Sequence, residues 1–166
     1  MSGIELTALL LAAASPNPEL ANLQAFEFQG LVAGEQLPEK ELRGCRKERD
    51  TGEQVCLKFR SFAGIFPEFL SLHAYEGRMS MFLGQTKRSD YTTLRDAFKA
   101  KYGEPCKTDT QDWQSRMGVK ITGESLTWCF STGKLNLNEV GTHIDKSAFI
   151  YQDDWQPPKA APKVDF

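Results

Sequence analysis

The residues of this 166-residue chain that could do chemistry are few: two histidines, His73 and His143, four cysteines, and scattered carboxylates. An imidazole that activates a nucleophile needs a hydroxyl or thiol within hydrogen-bond reach and an acid to orient it. Neither histidine sits in a motif that supplies those partners, and G-x-S-x-G, H-E-x-x-H, phosphate-loop and G-x-G-x-x-G patterns do not occur in the sequence. Asp153 and Asp154 precede Trp155, but adjacent residues of a strand point to opposite faces, so they do not form a glycosidase pair. Asp109-Thr110-Gln111-Asp112 lacks the alternating oxygens and central glycine of a calcium loop. No cofactor and no metal is therefore expected. Enzymatic activity survives as an alternative only: an unrecognised hydrolytic site near His73 or His143.

The cysteines carry more information. Cys45, Cys56, Cys106 and Cys129 are even in number and contain no C-x-x-C, which argues against a zinc ribbon or a thioredoxin-type site. Of the three possible pairings, the sequential one, Cys45–Cys56 and Cys106–Cys129, suits the local pattern best. It places the chain in an oxidising compartment, periplasmic or secreted. The alternative is four separate buried thiols in a cytoplasmic, phage- or plasmid-encoded interaction protein. Residues 1–24 read as an N-terminal helix or a degenerate signal segment. Leu9-Leu10-Leu11 and Ala12-Ala13-Ala14 resemble a secretory apolar region and its small-residue exit, although Glu5 interrupts it and no Lys or Arg precedes it.

These residues must be positioned by a small set of elements. The clearest is a helix over 89–103. Ser89 can cap it, Asp90 suits its positive end, and Tyr91, Leu94, Phe98 and Tyr102 form one apolar stripe. Lys99 and Lys101 lie in its last turns, and Gly103 and Pro105 end it. Elsewhere the chain reads as strands and turns. A short helix at Leu37–Leu42 leads into a hairpin of Cys45–Arg49 with Gln54–Phe59. A second hairpin pairs Phe69–Tyr75 with Met79–Leu83. Strands follow at Lys107–Gln114, Val119–Thr122, Leu126–Phe130, Leu135–Leu137 and Ala148–Tyr151, with a turn around 115–118. The expected fold is α+β: an antiparallel sheet of hairpins with one main amphipathic helix packed on one face, in two similar helix-plus-strands halves. A single domain spans 25–155, and the proline-rich residues 156–166 form a flexible tail.

At this point the pattern resembles the small exported bacterial proteins typified by the β-lactamase inhibitory protein, and the related plan of the SmpA/OmlA envelope lipoproteins. The likeness lies in Gly34 and the Leu37–Leu42 helix before Cys45, the Cys45/Cys56 spacing, the bracketing of a second unit by Cys106 and Cys129, and Lys101-Tyr102-Gly103-Glu104-Pro105 at the helix end. It covers roughly residues 26–151. The chain departs from the lipoproteins in having no lipobox cysteine, and no glycine-methionine turn precedes either helix. The resemblance implies a protein that binds another protein and catalyses nothing.

The remaining expectations concern partners. A formal charge of −2 argues against nucleic acid, and no run reaches the roughly 20 apolar residues of a membrane span. The partner is expected to be another protein. Eleven Phe, four Tyr and three Trp give an aromatic-rich core suited to β structure, and an exposed Trp or Tyr on a sheet face is the usual anchor of a protein interface. Tyr75, Trp113 and Trp155, with His73 between strand neighbours, are the candidate binding residues on an aromatic sheet face. Arg95 and Lys99 add a candidate basic surface on the helix; the competing reading for both is the solvated back of an amphipathic helix.

Overall fold

The computed structural model describes residues 24–114 and 118–155. The expectations for the leading segment up to residue 23, for the turn residues 115–117 and for the tail 156–166 lie outside these residues.

Alternating apolar and polar residues over 70–87 and 120–153 form five adjacent strands of an eight-stranded antiparallel sheet. A small hairpin precedes it, β1 (Glu27–Phe28) with β2 (Leu31–Val32), and then a one-turn helix α1 (Glu39–Leu42). The sheet strands are β3 (Arg46–Lys47), β4 (Gln54–Leu57), β5 (Phe69–Tyr75), β6 (Arg78–Lys87), β7 (Lys107–Gln114), β8 (Lys120–Cys129), β9 (Gly133–Asn138) and β10 (Lys146–Asp153). Their order is β3-β4-β5-β6-β10-β9-β8-β7. Between β6 and β7 the chain leaves the middle of the sheet, forms helix α2 (Tyr91–Tyr102), and returns at the far edge. The fold is α+β, as expected.

Helix α2 lies against one sheet face. Tyr91, Leu94 and Phe98 are buried, and the Phe98 ring meets Trp128 and Phe149 edge-on at 5.7 Å each. The rest of that face is covered by the N-terminal hairpin. Phe26 stacks on Tyr151 at 3.9 Å, and Phe28 packs on Phe82 at 4.4 Å. The stop signal works as read: Gly103 has φ of 81° and donates its N–H to Lys99 O at 2.9 Å. The start does not. A 3₁₀ turn over Arg88–Asp90 precedes the helix, Asp90 rather than Ser89 holds the cap position, and no side chain caps it. The cause is tertiary. Arg88 N–H donates to Asp145 O at 2.8 Å and its guanidinium donates to Glu139, so the chain is pinned beside β10 and turns tightly before the helix begins.

A second correction concerns Val119–Thr122 and Leu126–Phe130, which form one strand, β8. Gly123-Glu124-Ser125 looks like a break, yet it is paired on both sides or tied in place. Gly123 and Ser125 face Gln111 and Asp109 of β7, and Glu124 accepts a 2.5 Å hydrogen bond from Tyr91. Gly123 is needed because a Cβ there would lie 2.8 Å from Val140 Cγ2.

Both disulfides form in the expected pairing, Cys45–Cys56 and Cys106–Cys129. Each ties the residue just ahead of a strand pair to the second strand of that pair. Two such bridges fit an oxidising, exported environment.

Two predictions follow from the packing. At Gly84, in the middle of β6, a Cβ would lie 2.3 Å from the Phe149 ring on β10. Gly84→Ala must displace that ring from the core and should cost about 1–3 kcal/mol, read as a lowered urea midpoint with an unchanged slope. The second concerns Glu41, whose side chain is only 6% exposed and is held by Lys58 Nζ at 3.0 Å and by Arg60. Burial pushes its carboxyl up, but the hydrogen bonds from Lys58 and Arg60 outweigh burial and hold it below the usual carboxylate range. A depressed pKa gives stability that is complete above the unfolded carboxylate value and is lost as pH falls through the folded one. Glu41→Ala removes the carboxylate shared by Lys58 and Arg60 but leaves Lys58 Nζ its bond to the backbone carbonyl of residue 41, and should cost about 1.5–3 kcal/mol at neutral pH. That deficit should shrink in unfolding titrations carried down to strongly acidic pH.

Candidate functional site

Strand alternation sends Leu72, Phe82, Phe149, Leu137 and Trp128 towards α2 and leaves the intervening residues on a face that no helix among the described residues covers. The pairing register lays out that open face in transverse rows. One row runs Leu57, Ser71, Leu83, Ile150, Asn136, Thr127. The next runs Phe69, Gln85, Ala148, Asn138, Ser125. These two rows contain no charged side chain. Among the described residues charge lies at the ends of the face, at Lys87, Lys146 and Glu68 on one side and Glu53 and Lys134 on the other, and on the two edge strands, with Arg46 on one and Lys107 and Asp109 on the other.

The polar residues in the rows are prearranged. Thr127 Oγ1 donates to Asn136 Oδ1 at 2.8 Å, and Ser125 Oγ donates to Asn138 Oδ1 at 2.6 Å. The face also holds two buried polar atoms without a hydrogen-bond partner among the described residues, Ser71 Oγ and His73 Nδ1. At the end of the first row Leu57 is 60% exposed, and Phe59 (94%) and Phe66 (79%) stand out from the adjoining loop.

The aromatic and basic candidates are not gathered in one place. His73 lies on the open face, with Nδ1 3.5 Å from Glu53 Oε1. Ser80, the extra residue of a bulge in β6, donates to the same carboxylate oxygen at 3.0 Å. The carboxylate thus sits between hydroxyl and imidazole, whereas a hydrolytic triad needs the imidazole between the other two. His143 is exposed in the β9–β10 connection. Among the described residues no three His, Cys, Asp or Glu side chains are grouped to hold a metal.

Tyr75 and Trp155 do come together, their rings 5.5 Å apart, at the end of the sheet where β5, β6 and β10 meet a cleft. Trp113 is far from them, on the edge strand opposite Ile121 in the β7–β8 hairpin. Every residue of β7 is exposed on both faces, so this hairpin projects past the core. Arg95 and Lys99 lie on α2, across the sheet from the open face, and are paired within the chain: Arg95 with Asp96 at 3.0 Å and Lys99 with Glu104 at 2.9 Å. Lys101 reaches Glu27 at 2.8 Å. Each of these three cations therefore has an acidic partner within the chain.

The residues that the sequence reading passed over are the ordinary ones: Leu57, Leu83, Ile150, Asn136 and Asn138. The available signal was the segment Met81 to Gln85 and the segment Ala148 to Gln152, where neither face of the strand carries a charge. Among the described residues no helix is long and apolar enough to cross a membrane. Compared with family models, curated proteins and solved structures, the chain matches none, so its open face and its end cleft must be interpreted from their own chemistry.

Proposed function

We propose that the protein is an exported, non-enzymatic protein-binding module, periplasmic or secreted, of an inhibitor, immunity or envelope-factor type. The observation that carries this reading is the charge-free centre of the open sheet face. Depletion of charge, not apolarity alone, separates the middle of a protein interface from ordinary surface. Here it coincides with half-buried Leu83 and Ile150, exposed Leu57 and Phe69, and a ladder of Asn, Ser and Thr ready to exchange hydrogen bonds. The partner is a folded protein whose matching surface is likewise poor in charge. Aromatic anchors sit at the margins, with Trp113 on the projecting hairpin and Phe59 on the opposite side. The two disulfides, rather than any leader segment, support the compartment.

The same reading treats the sheet as two similar halves. A helix, a cysteine and strands β3–β6 make one, and α2, Cys106 and strands β7–β10 make the other, joined antiparallel through β6 and β10. Each half carries one bridge from its lead-in to its second strand. This doubled plan is what supports the resemblance to the β-lactamase inhibitory protein.

A charge placed at that junction tests the assignment. Leu83→Arg, with Thr92→Arg on the exposed side of α2 as control, should keep the wild-type unfolding midpoint, because Leu83 is only half buried. Immobilised wild-type and Thr92→Arg protein should retain the same saturable partner from extracytoplasmic extract, and Leu83→Arg should bind that partner, once purified, at least 30-fold more weakly, equivalent to about 2 kcal/mol. Equal binding by Leu83→Arg, or loss with Thr92→Arg instead, would place the interface elsewhere.

A further inference from the structure

A second surface feature is independent of the open face. At the end of the sheet Gln36, Tyr75, Glu76, Arg78, Asp153 and Trp155 line a cleft of about 420 Å³, within the range of small-molecule sites. Its groups are fixed before any ligand arrives. Gln36 donates through Nε2 to Glu76 O at 3.1 Å, and its amide packs so closely on Gly77 that a Cβ there would lie 2.0 Å from Nε2. Gln36 is also bridged to Arg78 through the backbone. Asp153, only 7% exposed, accepts the Trp155 N–H at 2.8 Å and the Tyr151 hydroxyl at 3.2 Å. Trp155 is 46% exposed although its ring leans on Tyr75 at 5.5 Å and 43°.

We infer that this cleft is a binding site for a neutral saccharide, with room for one or two pyranose rings. The chemistry selects the class. Two aromatic rings at its wall offer apolar faces to the axial C–H groups of a sugar, and flat, partly exposed Trp and Tyr side chains do this at low entropic cost. The polar lining is mixed: acceptors at Asp153 and Glu76, donors at Arg78, and both at Gln36 and Tyr75. Adjacent hydroxyls of a sugar are donor and acceptor at once, and planar amide, carboxylate and guanidinium groups meet such pairs two bonds at a time. A phosphate or sulfate would confront Asp153 and Glu76. A quaternary ammonium would confront Arg78. An uncharged polyol meets no unpaired charge of its own sign.

Saturation-transfer difference NMR on the full chain tests this, with methyl α-glucoside, methyl β-galactoside, N-acetylglucosamine and cellobiose as probes and choline as the charged comparator. At least one pyranoside should receive saturation, strongest at its ring C–H protons. Trp155→Ala should abolish the transfer with wild-type melting temperature, and Gln36→Ala and Asp153→Asn should each weaken binding at least fivefold in protein that still unfolds cooperatively. Choline should receive none. The inference is overturned if no pyranoside receives saturation, if transfer persists in both Trp155→Ala and Gln36→Ala, or if choline is bound and lost with the same substitutions.

Discussion

Reduction of both disulfides should lower the free energy of unfolding by about 6 kcal/mol, roughly 3 from each bridge. The sequence separations they close, 11 and 23 residues, differ by a factor of two, and loop entropy grows so slowly with length that the two should contribute nearly equally. Their structural roles differ more. Cys45–Cys56 holds a four-residue helix and a two-residue edge strand, elements too short to persist without a covalent tie. Cys106–Cys129 fixes the exit of α2 to the end of β8. A domain of this size has typically about 5–15 kcal/mol to lose, so reduction should remove a large share of its stability. Urea unfolding with and without dithiothreitol measures the difference without altering a side chain. A shift below about 1 kcal/mol would mean that the bridges contribute little, and the exported reading would lose its main support.

Trp128→Ala should be the most damaging single substitution in the core, costing about 3–5 kcal/mol. Trp128 is fully buried, takes the edge of Phe98 at 5.7 Å, and donates its indole N–H to Gly103 O at 2.8 Å. It therefore joins three things: the sheet, the apolar stripe of α2, and the carbonyl left over where the helix ends. Trp128→Phe separates packing from hydrogen bonding. It retains most of the ring and should lose less than the alanine variant, with about 1–2 kcal/mol coming from the stranded carbonyl. Trp113→Ala, on the exposed hairpin, should change stability by less than about 1 kcal/mol. Denaturant melts of the three variants suffice. If Trp128→Ala lost less than about 1 kcal/mol, α2 could not be docked on the sheet as described.

What could be read from the sequence follows the range of the interactions. The helix was legible because its stripe, Gly103 and Pro105 act within a few residues, and the cysteine pairing because each pair spans one local unit. Ser89 was misassigned as the cap because the pull on Arg88 comes from Asp145 and Glu139, more than fifty residues away. Gly123-Glu124-Ser125 was misassigned as a break because turn propensity yields to a strand that has partners on both sides. The open face was the least legible part. Tryptophan, histidine and charge are the residues that stand out as a site in a sequence. The face is made of Leu, Ile, Asn and Thr, and those residues gain their meaning only when β6 and β10, sixty residues apart, lie side by side. Tyr75 and Trp155 each read as a binding residue, but the cleft they share also depends on Gln36, which carries no sequence signal, and on Gly77, which signals only a turn.

The central claim, that the uncharged sheet face is where the protein meets its partner, is tested most directly by photocross-linking from single positions. A benzophenone side chain at Ile150 and, separately, at Thr92 on α2 would report which surface is covered in the native envelope. The account predicts one discrete adduct from position 150 that is suppressed by Leu83→Arg, and none from position 92. Adducts from position 92 alone, or no adduct from position 150, would contradict it.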